Sequence, residues 1–331
     1  MVKINNAFSD KKQLKFGVPQ GSILGPILYS LYVKDIEEIA LYHNVKIHVY
    51  ADDVVMYTNC NEISNLKECL CKVMQWTSEN FLKLNKSKTQ LLCLSPRTYK
   101  FGKPSYIHLM GEDIMVNNKA KYLGVWLDEN LTMTRQVNNV CAQGYVMLKN
   151  LWKISSKVTD RKLRTQLVHS CILSKINFCS ALYNSLPKRE LDKLDKLLKA
   201  GTRFIFNIYG FQSWQHMTPY LQQLHFLPIT YRTKFKISLM VYKCFNNQAP
   251  DYLKCLLIPR INEHNRETRK DNDITWLNKH PIENVVYKCR SFRHIAPDIW
   301  DKLSFIIRDS PTIDTFKTRL KTFYFEQWLA S

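Results

Sequence analysis

The sequence lacks the features that mark a disordered or membrane-spanning protein. Its 331 residues include only 9 glycines and 12 prolines, whereas 45% are hydrophobic and 12% are aromatic. This composition argues against long disordered stretches. The longest apolar stretch near the start, residues 23–33, is interrupted by Gly25, Pro26 and Ser30 and is too short to cross a bilayer. We therefore expect a folded protein without a membrane span.

Paired cysteines are also missing. The ten cysteines are scattered, and none forms a Cys-x-x-Cys pair. Paired spacing is typical of structural zinc sites, and a cysteine framework behind a secretory leader is typical of disulfide-rich secreted domains. The sequence begins without such a leader. We therefore expect reduced thiols and a location in the nucleus or cytoplasm.

Acidic residues are too few to balance the basic ones. There are 28 Asp and Glu against 48 Lys and Arg, which gives a net charge of +20. Residues 1–140 hold 17 basic and 13 acidic residues (+4), and residues 141–331 hold 31 and 15 (+16). Because neutralising phosphates releases counterions, this asymmetry favours nucleic-acid binding along the C-terminal part, with strongly salt-dependent affinity. A surface that only keeps the protein soluble is the alternative.

Hydrophobic periodicity predicts a mixed region followed by a helical one. In the first region the spacing predicts a helix over 25–40, a hairpin of strands 46–50 and 54–58, and a helix over 64–82. It then predicts a strand over 89–94, a hairpin over 106–116 and a single strand over 121–127. Beyond residue 132 it predicts amphipathic helices over 137–155, 161–174, 188–206, 231–246 and 313–325.

The first hairpin carries two adjacent carboxylates at its turn, in Tyr50-Ala51-Asp52-Asp53. Hard divalent cations prefer oxygen ligands, and the repulsion between the two acids is relieved when a cation bridges them and a substrate phosphate. By itself, an Asp-Asp turn is more often a solvated loop.

Three further blocks accompany this pair in a fixed order. The four are GVPQGSILGP from Gly17 to Pro26, YADD from Tyr50 to Asp53, FLKLNKSKT from Phe81 to Thr89, and Tyr122-Leu123-Gly124. They resemble motifs B, C, D and E of the palm in reverse transcriptases, and the first has the form found in LINE-type, jockey-like non-LTR retrotransposons. Segments within 227–253 and 293–325 resemble the C-terminal regions of the same elements.

The resemblance implies an α+β fold in three parts. It implies a partial reverse transcriptase palm of antiparallel strands with helices over residues 1–130. A thumb-like helical segment would follow over 131–210, and a basic, mainly helical C-terminal region over 211–331.

The resemblance also implies roles for residues near the acids. Asp52 and Asp53 would be catalytic ligands of Mg²⁺ or Mn²⁺ that align the primer 3′-hydroxyl with the α-phosphate of the incoming dNTP. Gln20 and Gly21 would approach the template base and the nucleotide sugar. Lys88 matches a lysine near the departing pyrophosphate, and an ordinary surface lysine is the alternative.

Two more nucleic-acid contacts are implied. Tyr122, Leu123 and Gly124 match the primer-grip hairpin, although a packed strand end is the alternative. Basic helices with interleaved aromatics are expected to track phosphates and stack bases as a thumb does. One holds Arg161, Lys162, Arg164 and His169, and another holds Arg203, Phe204 and Phe206. A place in the core is the alternative for the aromatics.

The implied function is that of an RNA-directed DNA polymerase, with an RNA template, a DNA primer and their hybrid as partners. In this family a further metal-binding aspartate lies well upstream of the GVPQGS block, but only 16 residues precede Gly17 here. We therefore expect activity only within a complete palm and none from these 331 residues alone. A non-catalytic module that binds RNA or RNA–DNA hybrid is a second interpretation, and an incompletely folding relic is a third.

Overall fold

The structure is a computed structural model, and it describes residues 3–5, 7–10, 17, 21–94, 104–109, 111–210, 215–260, 276–279 and 291–331. The chain divides into two compact units. Residues 1–93 and 99–123 form the first, and residues 94–98 and 124–331 form the second. Among the described residues, no helix has both the length and the apolar character needed to cross a bilayer.

The first unit combines short strands with helices. Its elements are β1 (Lys3–Ile4), β2 (Ala7–Phe8), α1 (Gly25–Tyr32), α2 (Asp35–Tyr42), β3 (Lys46–Tyr50), β4 (Asp53–Tyr57), α3 (Ile63–Glu79), β5 (Leu91–Leu92), β6 (Tyr106–Leu109), β7 (Glu112–Asn117) and β8 (Lys119–Tyr122). β1 pairs with β2 and β3 with β4, both antiparallel. In a three-stranded sheet, β7 lies between antiparallel β6 and parallel β5. The predicted α+β fold is confirmed.

The core of the first unit gathers side chains from α2, α3 and the strands. Ile36 and Ala40 of α2, Cys69 and Val73 of α3, and Ile107 of β6 are all buried in one cluster. Their spacing along each helix is three or four residues, which places them on one face. Burial of each large aliphatic side chain contributes roughly 1.5–3 kcal/mol.

The single helix predicted over 25–40 is wrong, because the chain forms two helices with a turn at Val33-Lys34. Three acids lie in the first turn of α2: Asp35, Glu37 and Glu38. Negative charge stabilises the N-terminus of a helix, so these acids favour a new helix start rather than a continuous one.

The strand predicted over 121–127 is also wrong. The chain reverses at Leu123 and Gly124, which have positive φ angles of 44° and 81°. β8 therefore ends at Tyr122, and β9 (Val125–Asp128) begins the second unit. The strand predicted over 89–94 shortens to Leu91–Leu92.

The second unit is almost entirely helical. After β9 its elements are α4 (Thr134–Lys153), α5 (Arg161–Val168), α6 (Ser174–Asn177), α7 (Lys188–Ile205), α8 (Thr218–Gln223), α9 (Ile229–Phe245), α10 (Asp251–Lys254), α11 (Phe292–Trp300), α12 (Phe305–Arg308) and α13 (Ile313–Leu329). A π-helical segment, His169–Leu173, joins α5 to α6. The long helices predicted from periodicity are present as α4, α5, α7, α9 and α13.

Two hydrophobic clusters stabilise this unit. In one, Leu197 of α7 packs among buried residues of α4, and Gly144 of α4 lies so close that an added Cβ would be 2.5 Å from a Leu197 methyl. In the other, the Tyr242 and Phe316 rings of α9 and α13 stack 4.2 Å apart beside buried Trp300. The division into a thumb-like segment to 210 and a C-terminal region beyond it remains a prediction.

Candidate functional site

The two acids lie at the tip of the β3–β4 hairpin. The register runs from Lys46 opposite Tyr57 to Tyr50 opposite Asp53, so Ala51 and Asp52 alone form the turn. Asp53 begins β4 instead of lying in the turn as the sequence predicted. Both carboxylates are exposed. Ala51 has a φ of 51°, a strained conformation for a residue with a side chain and one that is concentrated at functional sites.

The base of the hairpin is fixed to the core of the first unit. Residues alternate across a strand, so Ile47 and Val49 of β3 point to one face, where they pack with Met56 against the buried cluster. On the other face, the His48 and Tyr57 rings stack 5.5 Å apart, and the Tyr57 hydroxyl lies 3.2 Å from His48 Nε2. The acids therefore project from a strand pair that is held on both faces.

Helix α1 lies beside the hairpin tip. Burial raises the pKa of Tyr29 on α1, and the charge of the Asp52 carboxylate raises it further. The Tyr29 phenol therefore stays protonated and neutral beside the acid. The sequence reasoning missed Tyr29. Its spacing of four residues from buried Gly25 and from buried Val33 is the signal that places it on the inner face of the helix.

The loop before α1 carries the GVPQGS block. Gly21 has a φ of 85°, and among the described residues, its chain neighbours apart, no atom lies within 4 Å of where a Cβ would be. The positive φ requires glycine, and the open space would admit a ligand close to the backbone. Ser22 Oγ accepts a hydrogen bond from the Gly25 N–H at 3.1 Å, which fixes the loop against the helix start. Gln20 lies outside the described residues.

Lys88 ends a short 3₁₀ segment, Lys86–Lys88, and is exposed. Its backbone N–H donates to Asn85 O at 3.1 Å. In the described part of the chain, no hydrogen bond or ion pair joins Lys88 to Asp52 or Asp53. The proposed role of Lys88 at the leaving group thus remains a prediction.

Of the predicted primer-grip residues, Tyr122 ends β8, and Leu123 and Gly124 form the tight turn that follows it. Tyr122 and Leu123 are half-buried, while Gly124 is exposed and supplies the second positive φ. The backbone N–H of neighbouring Lys121 donates to Gln90 Oε1 at 3.3 Å, which ties β8 to the segment after Lys88. Contact with a primer remains a prediction.

The hairpin tip suits a hard divalent cation only in part. Two exposed carboxylates supply the oxygen ligands that Mg²⁺ prefers, and Mg²⁺ commonly keeps several waters and shares substrate phosphates. Across the described residues, no group of three or more His, Cys, Asp or Glu side chains is placed to hold a metal ion. Asp52 and Asp53 therefore fit a shared, substrate-assisted metal site better than a closed one.

Arg164, expected to track phosphates, is instead a structural residue. It is only 4% exposed. Its guanidinium donates to three backbone carbonyls and one amide oxygen, those of Val158 (2.6 Å), Ser155 (2.9 Å), Phe204 (3.0 Å) and Asn207 (2.8 Å). Few donors are left for a phosphate, so this part of the prediction is wrong. Arg161, on the same helix, is exposed and lies 4.0 Å from the Phe206 ring centre.

Comparison with known proteins gives one family match, which lies in the N-terminal part of the chain. Residues 1–127 match the family model described as reverse transcriptase (RNA-dependent DNA polymerase). No solved structure matches the chain significantly.

Three relatives from Drosophila melanogaster align with the chain. The probable RNA-directed DNA polymerase from transposon BS is 33% identical over 62% of this chain and 24% of its own length. The probable RNA-directed DNA polymerase from transposon X-element is 31% identical over 47% of this chain and 18% of its own length. The RNA-directed DNA polymerase from mobile element jockey is 33% identical over 42% of this chain and 16% of its own length.

These alignments span about a quarter or less of the relatives' own lengths. Residues 1–127 of this chain thus carry a reverse transcriptase match, and the chain is similar to RNA-directed DNA polymerases of transposons.

Proposed function

We propose that these residues form part of an RNA-directed DNA polymerase of a non-LTR retrotransposon, which extends a DNA primer on an RNA template. The observation that carries the proposal is the exposed Asp52-Asp53 pair, held at the tip of a rigid hairpin beside α1 and within the stretch that matches reverse transcriptases. The Gly21 loop precedes that helix directly.

The chemistry assigned to the tip is positioning and charge compensation. Asp52 and Asp53 hold and orient the groups that meet at the reacting phosphate, and their exposure leaves room for a primer end and a dNTP. When bound, Mg²⁺ or Mn²⁺ would stabilise charge on the phosphoryl oxygens and make the primer hydroxyl a better nucleophile. Tyr29, neutral beside Asp52, can donate a hydrogen bond without adding negative charge.

The flanking residues complete the proposed site. Gly21 allows the backbone to approach the nucleotide, and Gln20 would contact the template base. Lys88 would compensate charge on the departing pyrophosphate. The turn at Tyr122 to Gly124 would hold the primer end.

Among the described residues only two carboxylates lie at the site, whereas the resembled family uses three. We therefore expect the 331 residues produced by themselves not to polymerise, and to do so when a longer polypeptide supplies a further aspartate and the nucleotide-covering residues. Loss of a bridging carboxylate removes charge stabilisation that contributes several kcal/mol to such reactions.

A chimera tests this proposal. Residues 1–127, which match the reverse transcriptase family model, replace the corresponding residues of the jockey polymerase, and extension of a DNA primer on an RNA template is measured with dNTPs and Mg²⁺. We expect templated, primer-dependent DNA synthesis. A chimera that folds and binds the RNA–DNA hybrid as the parent does, yet extends no primer, contradicts the proposal.

The second candidate, a module that binds RNA or hybrid without chemistry, is favoured by the +16 charge of residues 141–331. For the 331 residues alone, the two candidates predict the same binding. They differ in the chimera, where a binding module would give no extension.

A further inference from the structure

The second unit contains a basic cavity that the polymerase chemistry does not use. Its volume is about 260 Å³, several times the roughly 30 Å³ that a water molecule occupies in the liquid. Five basic side chains line it: His169, His225, Arg232, Lys236 and Lys321. They come from the π-helical segment, the turn after α8, α9 and α13, so the fold brings together residues up to 152 positions apart.

Arg232 has hydrogen-bonding capacity to spare at this cavity. Its guanidinium donates to Asn177 Oδ1 at 3.1 Å and more weakly to Leu227 O at 3.4 Å. Its Nε is shielded from solvent and has no hydrogen-bond partner among the residues that the structure describes. A guanidinium carries five N–H donors in a planar fork that matches phosphate oxygens.

His169 reaches the cavity through an irregularity in its helix. It is the first residue of the π-helical segment, and its ring meets the Phe226 ring edge-on at 5.2 Å. π-Helical turns are rare and occur frequently at functional sites. The widened turn is an observation independent of the charge of the cavity.

Compensating acids are scarce around these cations. In the part of the chain that the structure describes, neither Arg232 nor Lys236 nor Lys321 forms an ion pair. Asp195 is the acid whose charge acts on Arg232, but its Oδ1 accepts a hydrogen bond from the Ile229 N–H at 3.0 Å. The positive charge gathered here is therefore largely unbalanced.

The pKa values reflect this imbalance. Burial lowers the pKa of Arg232 to about 10, although Asp195 acts in the opposite direction. Burial, and then the charge of Arg232, lowers the pKa values of His169, Lys236 and Lys321. Lys243 and Lys317 lower that of Lys236 further. A bound anion would relieve this repulsion.

We propose that this cavity binds one phosphate group of a nucleic-acid backbone. A cavity of this size, lined by a guanidinium and by two lysines that form no ion pair among the described residues, suits a phosphate. Its place within the strongly basic residues 141–331 favours a phosphate in a polyanion over an isolated one. The choice of nucleic acid as the source rests on the proposed function.

A pair of double variants tests the proposal in the full 331-residue chain. Lys236→Gln with Lys321→Gln removes two cations from the cavity. Lys234→Gln with Lys317→Gln removes two cations from the same helices, α9 and α13, without touching the cavity lining. Both variants change the net charge equally. Affinity for a labelled 20-nucleotide RNA is measured by fluorescence anisotropy at several salt concentrations, with circular dichroism as a check on folding.

We expect the cavity variant to bind at least about tenfold more weakly than the control variant. The slope of log affinity against log salt should also fall by about 0.7 relative to the control, the loss of one phosphate contact on a single strand. Equal weakening of the two variants would show that only overall charge matters and would overturn the proposal.

Competition with inorganic phosphate distinguishes a site for a nucleic-acid phosphate from a site for free phosphate. Competition by phosphate against RNA at the wild-type cavity, absent in the cavity variant, supports the proposal. Phosphate binding at the cavity with equal RNA affinity for both variants would overturn it, because the site would then serve free phosphate. Primer extension does not enter these measurements, so failure of the polymerase proposal and failure of the cavity proposal remain distinguishable.

Discussion

The Tyr29 phenol on α1 lies within electrostatic reach of the Asp52 carboxylate at the tip of the β3–β4 hairpin. Tyr29 lies on the helix that follows the GVPQGS loop, and Asp52 belongs to the YADD hairpin. Their proximity places α1 and the hairpin tip near each other in the first unit. A site shared by the two blocks remains a proposal.

Replacement of Asp52 should change the ionisation of Tyr29. The Asp52 charge disfavours the tyrosinate, so Asp52→Asn should lower the pKa of Tyr29. Burial is the larger cause and should keep the pKa above that of a free tyrosine. NMR titration of ¹³C-labelled tyrosines, assigned with Tyr29→Phe, measures the change. The control is Asp113→Asn, an exposed acid on the β6–β7 hairpin, and an equal shift with this variant would contradict the proximity.

Binding of a divalent cation to the isolated chain should be weak. Asp52 and Asp53 offer two carboxylates, and no third ligand lies with them among the described residues. Isothermal titration with Mn²⁺ should show no stoichiometric binding at micromolar protein concentration. Added hybrid and dNTP should strengthen binding in the wild type but not in Asp53→Asn, because substrate phosphates supply the missing ligands. Tight stoichiometric binding by the chain alone would show that the site is more complete.

Arg164 should matter for stability rather than for RNA contact. Arg164→Met removes four hydrogen bonds of about 1 kcal/mol each and should lower the free energy of unfolding by roughly 2–4 kcal/mol. Lys162→Met, exposed on the same helix, should change it by less than about 0.5 kcal/mol. Urea unfolding followed by tryptophan fluorescence compares the two. Equal stabilities would contradict the structural role of the guanidinium.

Much of the helical architecture could be predicted because its signal is local. The long helices α4, α7, α9 and α13 follow from apolar residues repeating every three or four positions. Boundaries that depend on chain reversal were less accessible. Leucine rarely adopts a positive φ, so the sequence does not indicate the φ of 44° at Leu123. The residues 121–127 were therefore predicted as one strand.

The candidate site could be predicted only where its residues are neighbours in the sequence. Asp52 and Asp53 could be singled out from adjacent acids between two strands. The cavity of Arg232 and Lys321 could not, because 89 positions separate them and only the packing of α9 against α13 brings them together. For Arg164 the sequence predicted a phosphate contact that the structure does not support. A basic residue in an amphipathic pattern looks the same whether its N–H groups face solvent or donate to backbone carbonyls.

The most direct test of the account is primer extension by the jockey chimera carrying Asp52→Asn, Asp53→Asn or Asp113→Asn. The two hairpin-tip variants should extend an RNA-templated primer at least about a hundredfold more slowly, since charge stabilisation worth several kcal/mol is lost. Asp113→Asn should keep the rate of the unchanged chimera. Undiminished extension by Asp52→Asn and Asp53→Asn, with Mg²⁺ as the only divalent cation, would contradict the central claim that these carboxylates carry the polymerase chemistry.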